Sequence, residues 1–149
     1  MDEKLFAAIL LSFGLSLLVL LSAYGCSEAI GVMGAASVSC AQKKSIIPQA
    51  YISVIFASTG FLYAFIIAMM IVLKVDDKYS LNSGYKHFGA CLMYGISGFV
   101  NGKAMGMVSK PAFKTLVKVP SFFISFMLIL ATIEASLIMS LVMSMMTIF

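Results

Sequence analysis

Four long apolar blocks make up almost the whole of this 149-residue chain. Only short polar segments separate them, and they cover residues 5–38, 46–73, 85–108 and 119–149. Because about 20 apolar residues cross the hydrocarbon core of a bilayer, each block is long enough to span it. Helices satisfy their own backbone groups in lipid, and a chain this small leaves little room for any other spanning structure. The sequence therefore predicts four transmembrane helices, at about residues 4–40, 46–73, 81–110 and 118–148.

The composition excludes an ordinary soluble domain. Hydrophobic residues make up 62% of the chain and charged residues 11%, whereas about a quarter of the residues of a soluble domain are charged. The three cysteines form no paired motif, so we interpret them as small packing residues rather than disulfides or metal ligands. We expect neither a metal nor a cofactor, and no soluble domain that could carry out catalysis.

The lysines predict the orientation in the membrane, because cytoplasmic loops carry an excess of positive charge. The first loop carries Lys43 and Lys44, and the region between the third and fourth blocks carries Lys110, Lys114 and Lys118. The N-terminus is net acidic and the middle loop is balanced. Both termini and the middle loop should therefore face away from the cytoplasm, on the lumenal side. The lysines are dispersed beside the apolar blocks, so we do not expect nucleic acid as a partner.

The chain divides into two helical hairpins of similar length, residues 1–75 and 76–149. An overlay of the halves places Gly25 on Gly102 and Ala29 on Gly106 and, with an offset one residue smaller, Ser58 on Glu134. Equivalent helices of the two hairpins would cross the membrane in the same direction. The sequence thus predicts a tandem repeat of a two-helix unit, of which the second copy carries the acid.

Small residues form a stripe on the first helix and another on the third. Such residues allow helix backbones to approach closely in lipid. We therefore expect the first and third helices to form a tightly packed inner layer and the bulkier second and fourth helices an outer layer. The stripe residues are Ser22, Gly25, Ala29, Gly95, Gly98, Gly102 and Gly106.

Glu134 is the main functional candidate, since no other ionisable side chain occurs in residues 120–149. A carboxyl group at mid-membrane costs several kcal/mol by most estimates, and such residues usually carry ions or protons. The alternative is a neutral acid that only hydrogen-bonds a neighbouring helix. Hydroxyl groups that could support the neutral acid belong to Ser58, Thr59, Thr132 and Ser136, and spacing does not choose among them.

Glu28 and Lys103 are the other charges within apolar surroundings. Both fall in the half of their helix that we assign to the cytoplasmic side, at similar depth, and we predict that they form an ion pair, either within one chain or between neighbouring chains. The alternative is that each side chain reaches water separately.

The order and spacing of several motifs carry a family resemblance. These motifs are SAYG at residues 22–25, Ile47-Pro48, GISGFVNGKAMGMV at residues 95–108 and LILATIEASLIMSL at residues 128–141. Together they resemble the c-type proteolipids of vacuolar-type proton-translocating ATPases (V-ATPases), over nearly the whole chain.

The resemblance implies a ring of identical or related proteolipids in a vacuolar or other endomembrane. The fourth-helix acid, Glu134, would exchange protons at the stator protein of the membrane sector, which supplies an arginine. The chain would have no catalysis of its own and would act as part of an ATP-hydrolysing pump together with the other V-ATPase subunits.

Other functions stay open at this stage. The chain departs from the family pattern at residues 26–30 and at Lys103, so it could be a paralogous proteolipid of the same ring. It could also be a small four-helix transporter that uses Glu134 to bind its substrate. A purely structural four-helix membrane protein would tolerate Glu134→Gln.

Overall fold

The computed structural model describes residues 3–42, 46–76 and 79–149, and these residues form four helices. The helices are α1 (Glu3–Ser39), α2 (Ile46–Val72), α3 (Leu81–Lys118) and α4 (Phe122–Ile148). The all-helical architecture is therefore confirmed. Some of the charges on which the orientation prediction depends lie outside the described residues, namely Asp2, Lys43, Lys44, Asp77 and Lys78.

Three of the described helices, α1, α2 and α4, are long and apolar enough to cross a membrane. The polar composition of α3 explains why it does not stand out in the same way, since its glycines, serines, Asn101 and Lys103 lower its mean hydropathy. Packing compensates for this polarity, because α3 contacts each of the other three helices. The protein is therefore an integral membrane protein, and a crossing by α3 stays a prediction.

Helix α3 is longer than the sequence predicts, since it continues past residue 110 and through Pro111 to Lys118. A proline removes one intrahelical hydrogen bond and usually ends or kinks a helix. Here the residues beyond Pro111 bury apolar surface, with Phe113 and Leu116 almost fully buried. The Phe113 ring meets the ring of Phe126 from α4 edge-on, with 5.7 Å between the centroids. This burial offsets the lost hydrogen bond and holds the last turns of α3 in place.

The closest contact between helices joins α1 and α3 at Gly25 and Gly102. A Cβ atom added at Gly102 would collide with the backbone of Gly25. A Cβ added at Gly25 would lie 2.5 Å from the carbonyl oxygen of Gly98 and 2.8 Å from Phe99 Cα. Glycine is therefore required at both positions by backbone contact, as the small-residue stripes predict.

Helices α2 and α4 pack against each other and against α3, whereas α1 and α4 make no contact within the part of the chain that the structure describes. One buried cluster lies around Met33, Phe113 and Phe126, and a second lies around Leu18, Tyr94 and Leu137. The chain thus consists of an α1–α3 pair covered by α2 and α4. Which pair lies inside a larger assembly stays a prediction.

Candidate functional site

Glu134 lies near the middle of α4, half-buried, with its side chain directed toward α2. Thr59 Oγ1 donates a hydrogen bond of 2.9 Å to Glu134 Oε1. The Tyr63 hydroxyl donates a longer bond, of 3.3 Å, to the same oxygen. Both donors come from one face of α2, because residues four apart on a helix are neighbours. The site is therefore a carboxyl group of α4 that two hydroxyl groups of α2 hold in place.

This geometry allows the carboxyl group to change its protonation state without losing its partners. Hydroxyl groups donate both to the oxygen of a carboxylate and to the carbonyl oxygen of a neutral acid. Because both bonds end on Oε1, a proton on Oε2 would disturb neither of them. The half-buried position also leaves the group reachable from the surface of the chain. The arrangement suits a site that takes up and releases one proton.

Of the four hydroxyl residues that the sequence offers as supports, the structure brings Thr59 to Glu134. Ser58 donates instead to the backbone carbonyl of Ile55 at 2.8 Å, and Thr132 to that of Leu128 at 2.8 Å. Ser136 bonds to α3, as described below. Sequence reasoning missed Tyr63, although a signal was present: it lies one helical turn beyond Thr59 and on the same face.

Ser136 belongs to a polar row that the sequence analysis also missed and that we name the α3–α4 polar seam. The seam consists of Ser97, Asn101, Ser136 and Ser140. Ser136 Oγ donates to Asn101 Oδ1 at 2.7 Å, and Ser140 Oγ donates to Ser97 Oγ at 2.7 Å. Ser136 follows Glu134 by two residues, which corresponds to a rotation of about 200° around the helix axis. The seam therefore lies on the side of α4 away from the Glu134 carboxyl group. It is only partly covered, and Ser136 is exposed.

The structure brings Glu28 and Lys103 together, with Lys103 Nζ 4.0 Å from Glu28 Oε2. That separation is an ion-pair distance but is too long for a hydrogen bond. Lys103 Nζ also lies 4.7 Å from the centre of the Phe99 ring, which adds a cation–π contact. Both charged side chains are more than one-third exposed, so the contribution of the pair to stability is at most about 1 kcal/mol.

A second group of polar residues lies where the C-terminal ends of α2 and α4 meet the N-terminal end of α3. Lys74 Nζ donates to the carbonyl oxygen of Ile148 at 3.2 Å and lies 3.4 Å from the centre of the Phe149 ring. The Tyr79 hydroxyl and His87 Nδ1 are 2.8 Å apart. Burial raises the pKa of Tyr79, so its hydroxyl stays protonated well beyond neutral pH. Within residues 3–42, 46–76 and 79–149, His, Cys, Asp and Glu side chains form no group of three or more that could hold a metal ion.

Comparison with known proteins bears on both halves of the chain. The sequence model for the C subunit of ATP synthase matches residues 13–71 and again residues 88–147. These two segments together cover well over half of the sequence. This chain belongs to the ATP synthase C-subunit family. Each matched segment contains most of one helical hairpin, α1 with α2 and α3 with α4.

Curated members of the family give the same result. The chain is 30% identical over 115 residues to the 16 kDa proteolipid of the V-type proton ATPase of Nephrops norvegicus, a match that covers 76% of this chain and 70% of that protein. It is 30% identical over 135 residues to the V-type proton ATPase proteolipid of Dictyostelium discoideum, covering 87% of this chain and 66% of that one. The 16 kDa V-type proton ATPase proteolipid of Homo sapiens is 30% identical over 115 residues, covering 76% and 71%.

The two matched segments begin at residues 13 and 88 and end at residues 71 and 147, so the family match covers both hairpins separately. This agrees with a chain built of two related hairpins. Which residue of the first hairpin corresponds to which residue of the second stays a prediction.

Proposed function

We propose that this chain is a proton-carrying proteolipid of the rotor ring of a vacuolar-type proton ATPase, and that Glu134 is the proton carrier. The observation that carries the proposal is the half-buried Glu134 carboxyl group, set in an apolar helix and held at Oε1 by Thr59 and Tyr63. The names of the family relatives support the assignment to this class of pump.

The mechanism follows from the cost of charge in lipid. Where Glu134 faces hydrocarbon, the anion is poorly solvated, so the neutral acid is favoured and the proton is held. Where Glu134 meets a cation in a wetter environment, the anion is favoured and the proton leaves. An arginine of the stator protein would supply that cation, and this chain contains no arginine of its own. Rotation of the ring between the two environments would carry one proton per proteolipid.

One proton site per chain follows from the repeat. In the overlay that the sequence predicts, Ser58 occupies the position in α2 that Glu134 occupies in α4, and a hydroxyl group does not ionise under these conditions. The chain would therefore catalyse nothing by itself and would depend on ATP hydrolysis in other subunits of the pump. Both termini would face the lumen of a vacuole or another endomembrane compartment, as the described lysines of α3 suggest.

The direct test is proton pumping by vesicles whose ring is built from variants of this chain. Glu134→Gln keeps the shape of the side chain but cannot ionise, so rings should assemble while pumping stops. Glu134→Asp withdraws the carboxyl group by one methylene and should retain reduced activity. Full pumping by the Glu134→Gln ring would refute the role of this residue. A chain that transports a substrate as a monomer or dimer would refute the rotor assignment altogether.

A further inference from the structure

Tyr94 of α3 is the largest completely buried side chain among the described residues, and the mechanism does not use it. Its hydroxyl group donates a hydrogen bond of 2.8 Å to the backbone carbonyl oxygen of Gly60 in α2. A buried tyrosine needs a partner for its hydroxyl group, so one explanation is that this bond only satisfies Tyr94 itself. The place where the bond ends on α2 indicates a further role.

Gly60 lies between the two residues that hold the acid. Thr59 is its immediate neighbour, and Tyr63 follows three residues later; their hydroxyl groups donate to Glu134 Oε1 at 2.9 and 3.3 Å. The rotation of α2 about its own axis decides how far these hydroxyl groups lie from the acid. Because side chains reach about 5–6 Å from a helix axis, a rotation of about 10° moves their ends by about 1 Å. Such a movement would break both bonds.

The bond from Tyr94 is additional to the hydrogen bonds of the helix. Since α2 is helical from Ile46 to Val72, the carbonyl oxygen of Gly60 already accepts a bond from the N–H group four residues later. A carbonyl oxygen has two lone pairs and can accept both bonds. The Tyr94 hydroxyl group therefore joins α3 to α2 next to the residues that bind the acid.

The surroundings of Gly60 bring the helices close together at this level. A Cβ atom added at Gly60 would lie 3.3 Å from Cys26 Sγ of α1 and 3.4 Å from Leu137 Cδ1 of α4. Leu137 lies three residues beyond Glu134 and belongs to the same buried cluster as Tyr94. These apolar contacts set the distances between the helices. They are not directional, whereas a hydrogen bond is, so the bond from Tyr94 is what can fix the rotation of α2.

We propose that Tyr94 is a positioning residue for the proton site and holds the rotation of α2 that brings Thr59 and Tyr63 to the acid. The inference rests on the proposed function and deepens it, because it adds a residue of α3 to a site built from α2 and α4. Hydrogen bonds to a carboxylate favour the charged form. Loss of the Tyr94 hydroxyl group should therefore weaken both donor bonds and favour the neutral acid.

Tyr94→Phe tests this role, because it keeps the ring and removes only the hydroxyl group. The measurement is the labelling of Glu134 by dicyclohexylcarbodiimide as a function of pH, determined by mass spectrometry on the intact complex in its membrane. The reagent modifies the neutral acid, so labelling falls as the pH rises. In Tyr94→Phe the half-labelling point should move up by about half a pH unit, because part of each donor bond is lost. Labelling is counted per chain, so a lower yield of complex does not affect the comparison.

Ser144→Ala is the matched control. Ser144 of α4 is also completely buried, and it donates to the backbone carbonyl oxygen of Ala90 in α3 at 3.2 Å. The variant removes the same kind of bond between helices about three helical turns away from Glu134. Both variants should lower the midpoint of thermal unfolding, but only Tyr94→Phe should shift the labelling curve. Equal shifts would show that any lost bond loosens the site and would overturn the positioning role.

A double-mutant cycle tests whether Tyr94 acts through the two donors. Thr59→Val combined with Tyr63→Phe removes both hydroxyl groups and should move the labelling of Glu134 to higher pH by more than Tyr94→Phe does. In that background Tyr94→Phe should give no further shift, because no donor remains to be positioned. A further shift of the full size would show that Tyr94 acts by another route and would overturn the inference.

The outcomes separate this inference from the proposed function. Unchanged labelling in Tyr94→Phe, with pumping still abolished by Glu134→Gln, would overturn the positioning role and leave the proton carrier in place. Full pumping by Glu134→Gln would overturn the proposed function, whereas the labelling curves would still show whether Tyr94 positions the two donors.

Discussion

Thr59 Oγ1 lies 2.9 Å from Glu134 Oε1, so the acid of α4 is positioned by a hydroxyl group from the other hairpin of the chain. Tyr63 adds a second donor one helical turn further along α2. The two hairpins thus contribute different side chains to the site. The second hairpin supplies the ionisable group, and the first supplies the donors that orient it.

The first prediction concerns these donors. Thr59→Val keeps the shape of the side chain and removes the hydroxyl group, whereas Thr59→Ser retains it. The hydroxyl group contributes about 1.5–3 kcal/mol when it bonds to a charged acid and about 0.5–1.5 kcal/mol when it bonds to a neutral one. Its loss therefore costs the charged state about 1 kcal/mol more, so Thr59→Val should lower the pumping rate several-fold with the ring intact. Tyr63→Phe should lower it less, because its bond of 3.3 Å is longer. The measurement is proton uptake per assembled ring. Equal rates for Thr59→Val and Thr59→Ser would show that the hydroxyl group has no role.

The second prediction concerns chemical labelling. Dicyclohexylcarbodiimide attacks protonated acids in apolar surroundings, so it should modify Glu134 in preference to the other five acids of the chain. Glu28 is the informative comparison, because its carboxyl group lies 4.0 Å from Lys103 Nζ and its side chain is more than one-third exposed, so its surroundings are not apolar. Mass spectrometry of the labelled chain identifies the modified residue. Labelling concentrated at Glu28 would identify a different functional carboxyl group. The control is the Glu134→Gln variant, which lacks the target carboxyl group and should not be labelled at residue 134.

The sequence was sufficient to predict the helices, because burial in lipid leaves few structures for apolar blocks of this length. Their observed bounds differ from the predicted ones mainly at Pro111. There the local preference of proline to end a helix is outweighed by the packing of Phe113 on Phe126, a contact between helices that the local sequence does not specify.

The site was predictable in part. An acid alone in an apolar helix is visible in the sequence, but its partners depend on how α2 rotates against α4. That rotation selects Thr59 over Ser58, although the two are adjacent in the chain, and it adds Tyr63. The same applies to the polar seam, since Ser97 and Ser140 become one feature only when α3 and α4 pack together.

The third prediction concerns Glu28 and Lys103. Either Glu28→Lys or Lys103→Glu places two like charges at about the separation of the present pair and should weaken assembly. The double variant restores opposite charges and should recover it. The measured effect of each single change should be modest, at about 1 kcal/mol or less, because both side chains are partly exposed. The amount of intact oligomer in detergent at low salt is the measurement. No recovery in the double variant would show that each charge acts separately.

The fourth prediction concerns the contact between α1 and α3. Gly102→Ala adds one methyl group where the backbone of Gly25 lies, and neither backbone can yield without moving a helix. Overpacking of this kind typically costs about 1–3 kcal/mol, although alanine raises helix propensity. The variant should therefore lower the midpoint of thermal unfolding in detergent. Met107→Ala is the control on the same helix, because Met107 is 76% exposed and its truncation leaves this contact unchanged. If Gly102→Ala unfolded at the same temperature as the unmodified chain, the close approach of Gly25 and Gly102 would be wrong, and with it the register of the two hairpins.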